Sequence, residues 1–333
     1  MRHLLAAAAI ALIASHAVAA DAPSPAPAAA PKPVDELEAN FVIPETAKRY
    51  AALLRAKRDA DAYADISDPS EFGRRVTADL QALAPDGHLR LGLQSEFERR
   101  RPPASDRPKS TIASGPDGLE AAEMIGPKRD IAYLRFNMFP RGGETPAKAR
   151  AFLLAHPDAR AVVIDARPHR GGTLDVMDAV LPLFYATPTT LVRMETRAAA
   201  EANGPMNPSP YLVRRDSPPE VVRRDHVIRP DAAETRLVRT PVYYLTSRFS
   251  ASAAEHLALA FRHSKRATII GETTRGAGHY GGLAEIGSRF AAFVPIGRTF
   301  DPDTGEDWEG KGIRPDVEIP ADDALAEALK RIG

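Results

Sequence analysis

The 333-residue chain contains no cysteine. That absence excludes disulfides, a thiolate nucleophile, cysteine-ligated metal and a thiol for lipid attachment. Net charge is also absent, since 44 basic residues balance 44 acidic ones. No global field therefore favours nucleic acid or an anionic membrane as a partner. No internal repeat is evident. The apolar run near the N-terminus, Leu4–Ala14, is shorter than the ~20 residues a spanning helix needs. Apolar residues make up 44% of the chain, close to the roughly 45–50% of globular proteins, and the length suits about two domains.

Arg2 and His3 precede that apolar run, and "AVAA" (Ala17–Ala20) offers small-residue cleavage sites. Residues 1–20 are expected to form a secretory signal peptide. The mature protein is then periplasmic or extracellular, with no stable membrane anchor after cleavage. A chain of this length can build a sufficient core without disulfides. Residues 21–34, "DAPSPAPAAAPKPV", are rich in Pro and Ala and read as a linker.

Residues 35–93 read as a small helical cap. Tyr50, Leu53 and Leu54 lie near one helical face, with Pro44 and Thr46 as start signals. Asp68 or Ser70 opens a second helix carrying Phe72, Val76, Leu80 and Leu83. "DGHLRLGL" (Asp86–Leu93) then turns at Asp-Gly into a strand.

Residues 94–333 read as an α/β domain. Strand-like runs at 131–139, 159–167, 241–247 and 267–272 alternate with helical runs at 145–156, 174–185 and 252–264, and a closing helix spans 321–332. That alternation predicts parallel strands with crossover helices. Residues 289–310 read as strands around a Pro/Asp/Gly turn. Residues 187–240, rich in Pro and Arg, break the rhythm and read as a long insertion near the site.

The candidate chemistry centres on "LTSRFSASAAE" (245–255). Ser252 and Glu255 have the spacing of a capping box, and Ser250 suits a cap equally well. A serine where a strand leads into a helix also sits at the positive helix end, where the N–H of Ala253 can meet an oxyanion. "DARPHRGGT" (165–173) places Gly171 and Gly172 in a strand-to-helix turn, candidates for a second amide donor. Such a serine needs a base. His3 and His16 leave with the signal. His156, His226 and His263 sit among polar residues and read as solvated. His256 lies one turn after Ser252 with poor aim. His169 and His279 lie in Gly-rich loops, and His88 follows a tight turn.

Three separated stretches, "VVIDARPHRGG" (162–172), "YYLTSRFSASAAE" (243–255) with "ATIIGETTRG" (267–276), and "DWEGKGIRPDVEIP" (307–320), together resemble the tail-specific, or C-terminal-processing, serine peptidases. The resemblance runs from about Ile131 to the C-terminus. It implies an α/β fold, a Clp protease/crotonase-like spiral of ββα units, here with an N-terminal helical cap. The branch with a Ser–Lys dyad places its lysine 25 residues after the serine; position 277 is Ala, so the dyad is missing. The other branch, that of tricorn protease and the interphotoreceptor retinoid-binding protein repeats, uses a histidine from the N-terminal side supported by a C-terminal glutamate. "DGHLRL" matches its D-x-H-L pattern, which makes His88 the base, and Glu309 in "WEGKG" matches the glutamate.

Two positions depart from that pattern. Gly87 stands where tricorn has a serine linking histidine to glutamate, and His169 stands where Asn is usual. About 37 residues separate the His88 strand from the strand at Ile131, too few for a PDZ module. The resemblance therefore implies an exported serine-type peptidase acting through an acyl-enzyme on peptide or protein substrates. Its catalytic residues would be Ser252, His88 and Glu309, its oxyanion donors Ala253 with Gly171 or Gly172, and it would need no metal or other cofactor. A non-catalytic binder of apolar ligands and an esterase are the alternative readings of the same scaffold.

Overall fold

The computed structural model describes residues 31–99, 118–202, 204, 208–286 and 289–333. The expected signal peptide and most of the expected linker lie outside the described residues. In chain order the elements are α1 (Pro31–Asn40), α2 (Pro44–Asp59), α3 (Pro69–Leu83), β1 (Arg90–Leu93), α4 (Gln94–Arg99), β2 (Leu119–Ile125) and β3 (Ile131–Phe136). Then follow α5 (Thr145–Ala155), β4 (Ala161–Asp165), α6 (Asp175–Val180), β5 (Thr189–Arg197), β6 (Leu212–Arg215) and β7 (Val221–Ile228). The chain closes with β8 (Val242–Thr246), α7 (Ala253–Ser264), β9 (Ala267–Gly271), β10 (His279–Ile286), β11 (Phe290–Phe300), β12 (Val317–Glu318) and α8 (Ala324–Ile332).

Two six-stranded sheets organise these elements. One has the order β12-β9-β8-β4-β3-β2, parallel throughout except for β2 against β3. Its inner strands, β3 and β4 most fully, are buried on both faces, which explains their nearly unbroken apolar runs. Ala132, Leu134 and Phe136 of β3 face a core shared with α5, α6 and α7, while Ile131 and Tyr133 face α8. This is the alternating helix and strand pattern expected from the sequence. Pro182 stops α6 early, and a 3-10 turn, Leu181–Leu183, replaces the rest of the expected helix.

The second sheet is antiparallel, in the order β1-β11-β5-β7-β6, with β10 also paired to β11. Here the structure corrects the reading of 187–240 as an insertion, because those residues supply β5, β6 and β7. Their arginines form cross-strand pairs: Arg193 and Arg215 converge on Asp225, and Arg223 and Arg298 on Glu195. A composition that resembles a loop is thus a strand surface laced by opposite charges.

The cap matches expectation in its starts. Pro44 opens α2, and the Asp68 carboxylate accepts the N–H groups of Ser70 and Glu71 at 3.0 and 3.3 Å. Its boundary with the linker shifts, however. Residues 31–34 belong to α1, since prolines fit the first helical turn, where N–H groups have no helical acceptor. Phe41, Tyr50, Phe72 and Leu80 share one core with Phe290, Ala292 and Val294 of β11. The cap is therefore fused to the antiparallel sheet and holds the Asp86–Leu89 turn against it. His88 lies in that turn, two residues before β1 begins.

Candidate active site

The carboxyl ends of the parallel strands β4, β8 and β9 open into three adjoining loops, the usual place for a site in an α/β sheet. The loop after β8 folds back on the loop after β4. Ser247 Oγ donates to the Arg167 carbonyl at 2.6 Å, Ser250 Oγ to the Ala166 carbonyl at 2.7 Å, and Ala251 N–H to the His169 carbonyl at 3.0 Å. Ser250 is therefore a buried tie between loops, and the helix cap position falls to Ser252.

Ser252 has φ +56° and ψ −112°. A non-glycine residue in that region carries roughly 1–3 kcal/mol of strain, which persists only where the surroundings over-determine it. The Glu255 carboxylate accepts Ser252 N–H at 2.8 Å, and Glu255 N–H goes to the Ser252 carbonyl at 2.8 Å. Both capping-box residues are in place, but the firm bond is the carboxylate's. The Ala253 N–H, first in α7, has no acceptor among the described residues.

Gly171 (φ +113°) packs directly on the serine: a Cβ there would lie 2.8 Å from Ser252 Cβ and 3.2 Å from its Oγ. Gly172 (φ +135°) leaves still less room, since its Cβ would sit 1.9 Å from the Phe139 carbonyl oxygen. Only glycine meets both demands. The two glycines differ as donors. Gly171 N–H is held by His169 Nδ1 at 3.0 Å, whereas Gly172 N–H has no partner among the described residues. Of the two sequence candidates, Gly172 is the one with an amide free to meet an oxyanion.

His169 is fully buried, and burial pulls its pKa down to about 3. The ring is therefore neutral, and its Nδ1 serves as an acceptor in the place of the usual Asn.

Glu255, known from sequence only as a capping residue, does more. Its two oxygens take the Ser252 and Ala277 amides at 2.8 Å each, the Gly276 amide at 2.6 Å and the Thr274 hydroxyl at 2.7 Å. Burial pushes the Glu255 carboxyl above the usual range against those four donors. The side chain fastens the serine backbone to the loop after β9.

Further along, the same loop meets the His88 turn. Glu309 Oε2 accepts the Gly278 and His279 amides at 2.7 and 2.8 Å, and Oε1 accepts Gly87 N–H at 2.9 Å. His88 Nδ1 lies 3.9 Å from Glu309 Oε2, and its ring stacks on Phe293 at 5.7 Å. The link from the histidine turn to the glutamate, made by a serine in tricorn, is here the backbone amide of Gly87. A Cβ at 87 would come within 3.1 Å of Glu309 Oε1.

Behind this turn lies a pair that sequence reasoning did not single out. His279 Nδ1 and Asp86 Oδ2 are 2.6 Å apart and buried, and Asp86 Oδ1 accepts the His88 and Leu89 amides. Burial disfavours charge on both, but each overcomes it through the other: His279 rises above the ordinary imidazole value, and Asp86 falls below the ordinary carboxyl value. Asp86, His279 and Glu309 place donor atoms within 4.8 Å of one another, yet amides and the imidazole already occupy the carboxylate oxygens. The cluster is a hydrogen-bonded brace for the His88 turn.

Ser252 and His88 thus flank one loop, Gly276–His279, each fastened to it by a carboxylate. Their side chains form no hydrogen bond to each other. Free enzymes commonly hold such contacts long and close them only around substrate.

One further histidine corrects the sequence reading. His226, expected to be solvated, is fully buried, and its Nδ1 lies 3.0 Å from His256 Nε2 on α7. Its own Nε2 lies 3.0 Å from Asp178 Oδ1 on α6. Burial and the neighbouring His226 push His256 well below the ordinary value. The His226 ring therefore bridges His256 and Asp178 through its two nitrogens. α7 is thereby tied through β7 to α6.

The strained serine thus sits at a strand-to-helix turn, at the start of α7 and packed against Gly171. The sequence pattern of peptidase family S41 matches residues 130–319, more than half of the chain, and the chain belongs to that family of serine-type peptidases. Solved structures share the fold. A putative peptidase from Parabacteroides merdae aligns with TM-score 0.56 at 17% identity, over 84% of this chain and 88% of that one. A lipoprotein from Streptococcus agalactiae aligns with TM-score 0.53 at 13% identity, over 90% and 93%. A photosystem II D1 C-terminal processing protease is 24% identical, with TM-score 0.43 over 60% of this chain. This chain spans only 46% of that protease's length.

Proposed function

We propose that the chain hydrolyses peptide bonds through an acyl-enzyme, with Ser252 as nucleophile and His88 as base. His88 takes the hydroxyl proton as Ser252 Oγ attacks the scissile carbonyl, then returns it to the leaving amine. Water, deprotonated by the same imidazole, releases the acyl group. The Ala253 and Gly172 amides hold the oxyanion. Glu309 faces His88 Nδ1 and orients the ring, with the Gly87 amide keeping turn and carboxylate together. The observation that carries this reading is the backbone of Ser252, held at φ +56° against Gly171 at an open helix end. A structural cap needs no such conformation. The charged N-terminus and the apolar run after it support export to the periplasm or beyond the cell.

The test is covalent labelling by a fluorophosphonate, together with cleavage of a peptide library. Wild type should label and cleave. Ser252→Ala should lose both, with peptide turnover down by about 10⁶. Labelling that persists in Ser252→Ala would remove this serine from the mechanism.

A further inference from the structure

Phe249, three residues before Ser252, is a large apolar side chain left 43% exposed. Two guanidiniums gather on it: Arg248 Cζ lies 4.9 Å from the ring centroid and Arg170 Cζ 5.8 Å. They come from different loops. Arg170 immediately precedes Gly171 in the oxyanion loop, and Arg248 belongs to the serine loop. The bond from Ala251 N–H to the His169 carbonyl joins the two loops. Neighbouring arginines are occupied, Arg167 by Asp165 at 2.6 Å and Arg135 by Glu120 at 2.7 Å. Neither Arg170 nor Arg248 has an ion-pair partner within 4.0 Å among the described residues. The nearby acid, Glu272, accepts the backbone N–H of Arg248 at 3.1 Å and makes no ion pair with its side chain.

We propose that Arg170, Arg248 and the face of Phe249 form a subsite for an acidic side chain of the substrate, an Asp or Glu close to the scissile bond. The inference rests on the reading of Ser252 as nucleophile. Stacking on an aromatic ring holds a guanidinium in place while leaving its N–H edge free. Two cations stacked on one ring repel each other, and an arriving carboxylate relieves that repulsion while accepting paired N–H bonds. The subsite is exposed, so each pair contributes at most about 1 kcal/mol, roughly fivefold in rate, and the effect is screened by salt.

The experiment uses acetylated, C-terminally amidated fluorogenic peptides with Glu, Gln or Lys placed in turn at the two positions on either side of the scissile bond. At low salt kcat/KM should favour Glu over Gln by about fivefold to twentyfold at one of these positions, and the ratio should fall toward one in 1 M salt. Arg170→Gln with Arg248→Gln should erase the preference, and Arg170→Glu with Arg248→Glu should turn it toward Lys. Both variants should still be labelled by a neutral fluorophosphonate, which shows that the serine remains reactive.

No Glu preference in wild type, or one that survives the double Gln variant, overturns the proposal. So does selectivity that follows a free C-terminal carboxylate on an otherwise neutral peptide. Failure of wild type to label at all counts against the Ser252 reading itself; labelling without acid selectivity counts against the subsite alone.

Discussion

The two halves of the site are built by different means. On the parallel sheet, positive-φ backbone does much of the positioning, with Ser252 at φ +56° and Gly171 and Gly172 at φ above +110°, helped by hydroxyl-to-carbonyl ties and the Glu255 carboxylate on Ser252 N–H. On the antiparallel sheet and cap, side chains do it, with Glu309, Asp86 and His279 bracing a turn that contains no strained residue. A half fixed by backbone is already shaped before substrate arrives. A half fixed by carboxylates can adjust by small side-chain movements, consistent with the 3.9 Å separation of His88 from Glu309.

The contrast can be broken most severely at Gly172. Gly172→Ala should lower fluorophosphonate reactivity by at least ~10²-fold, the usual loss for a missing oxyanion donor, and should also lower the melting temperature, because its Cβ meets backbone. Gly87→Ala applies the same methyl to the other half. There the neighbour is a movable carboxylate oxygen, so the same two measurements should show less than about a tenfold loss and little change in melting. Similar losses in the two variants would erase the distinction.

Glu309→Gln should fall between them, at about tenfold to a hundredfold in kcat/KM with labelling still detectable. On the proposed mechanism it removes the carboxylate that orients the base, and losing a supporting group costs less than losing the nucleophile.

The smallest effect is a pH slope. His169 stays neutral in the folded protein down to about pH 3, while in the unfolded chain it protonates near 6.5. The unfolded state therefore binds the extra proton between those values, and His169 makes stability fall as pH drops through that window, by about 1.4 kcal/mol per pH unit. His256, also depressed, adds to the slope. His279, raised, acts in the opposite sense: its stabilisation is complete below its unfolded value and is lost as pH rises through its folded one. His169→Asn keeps an acceptor for Gly171 N–H and removes one titration. Denaturant melts from pH 6.5 to 3 should show the slope reduced by one proton; an unchanged slope would mean that His169 titrates normally.

The parallel sheet was legible in the sequence because burial on both faces writes apolar runs such as "AVVID", and because crossover helices carry their own period. Ser252, Gly171, Gly172, His88 and Glu309 were singled out by their motifs. What escaped was long-range. The strands β5 to β7 hide behind arginines whose partners are on neighbouring strands, and β10, "HYGGLAEI", carries two glycines where a strand would show side chains. His226 looks polar in "RRDHV" because its partners, Asp178 and His256, lie far away in sequence. The work of Glu255 beyond capping is invisible for the same reason, since the amides it holds come from residues 276 and 277.

The tie between Gly87 and Glu309 has a consequence for mutational scanning. One end of the contact is main chain, and every residue except proline offers the same amide. A survey of substitutions would find the glutamate and mark its partner only faintly, because half of that interaction belongs to the main chain at position 87.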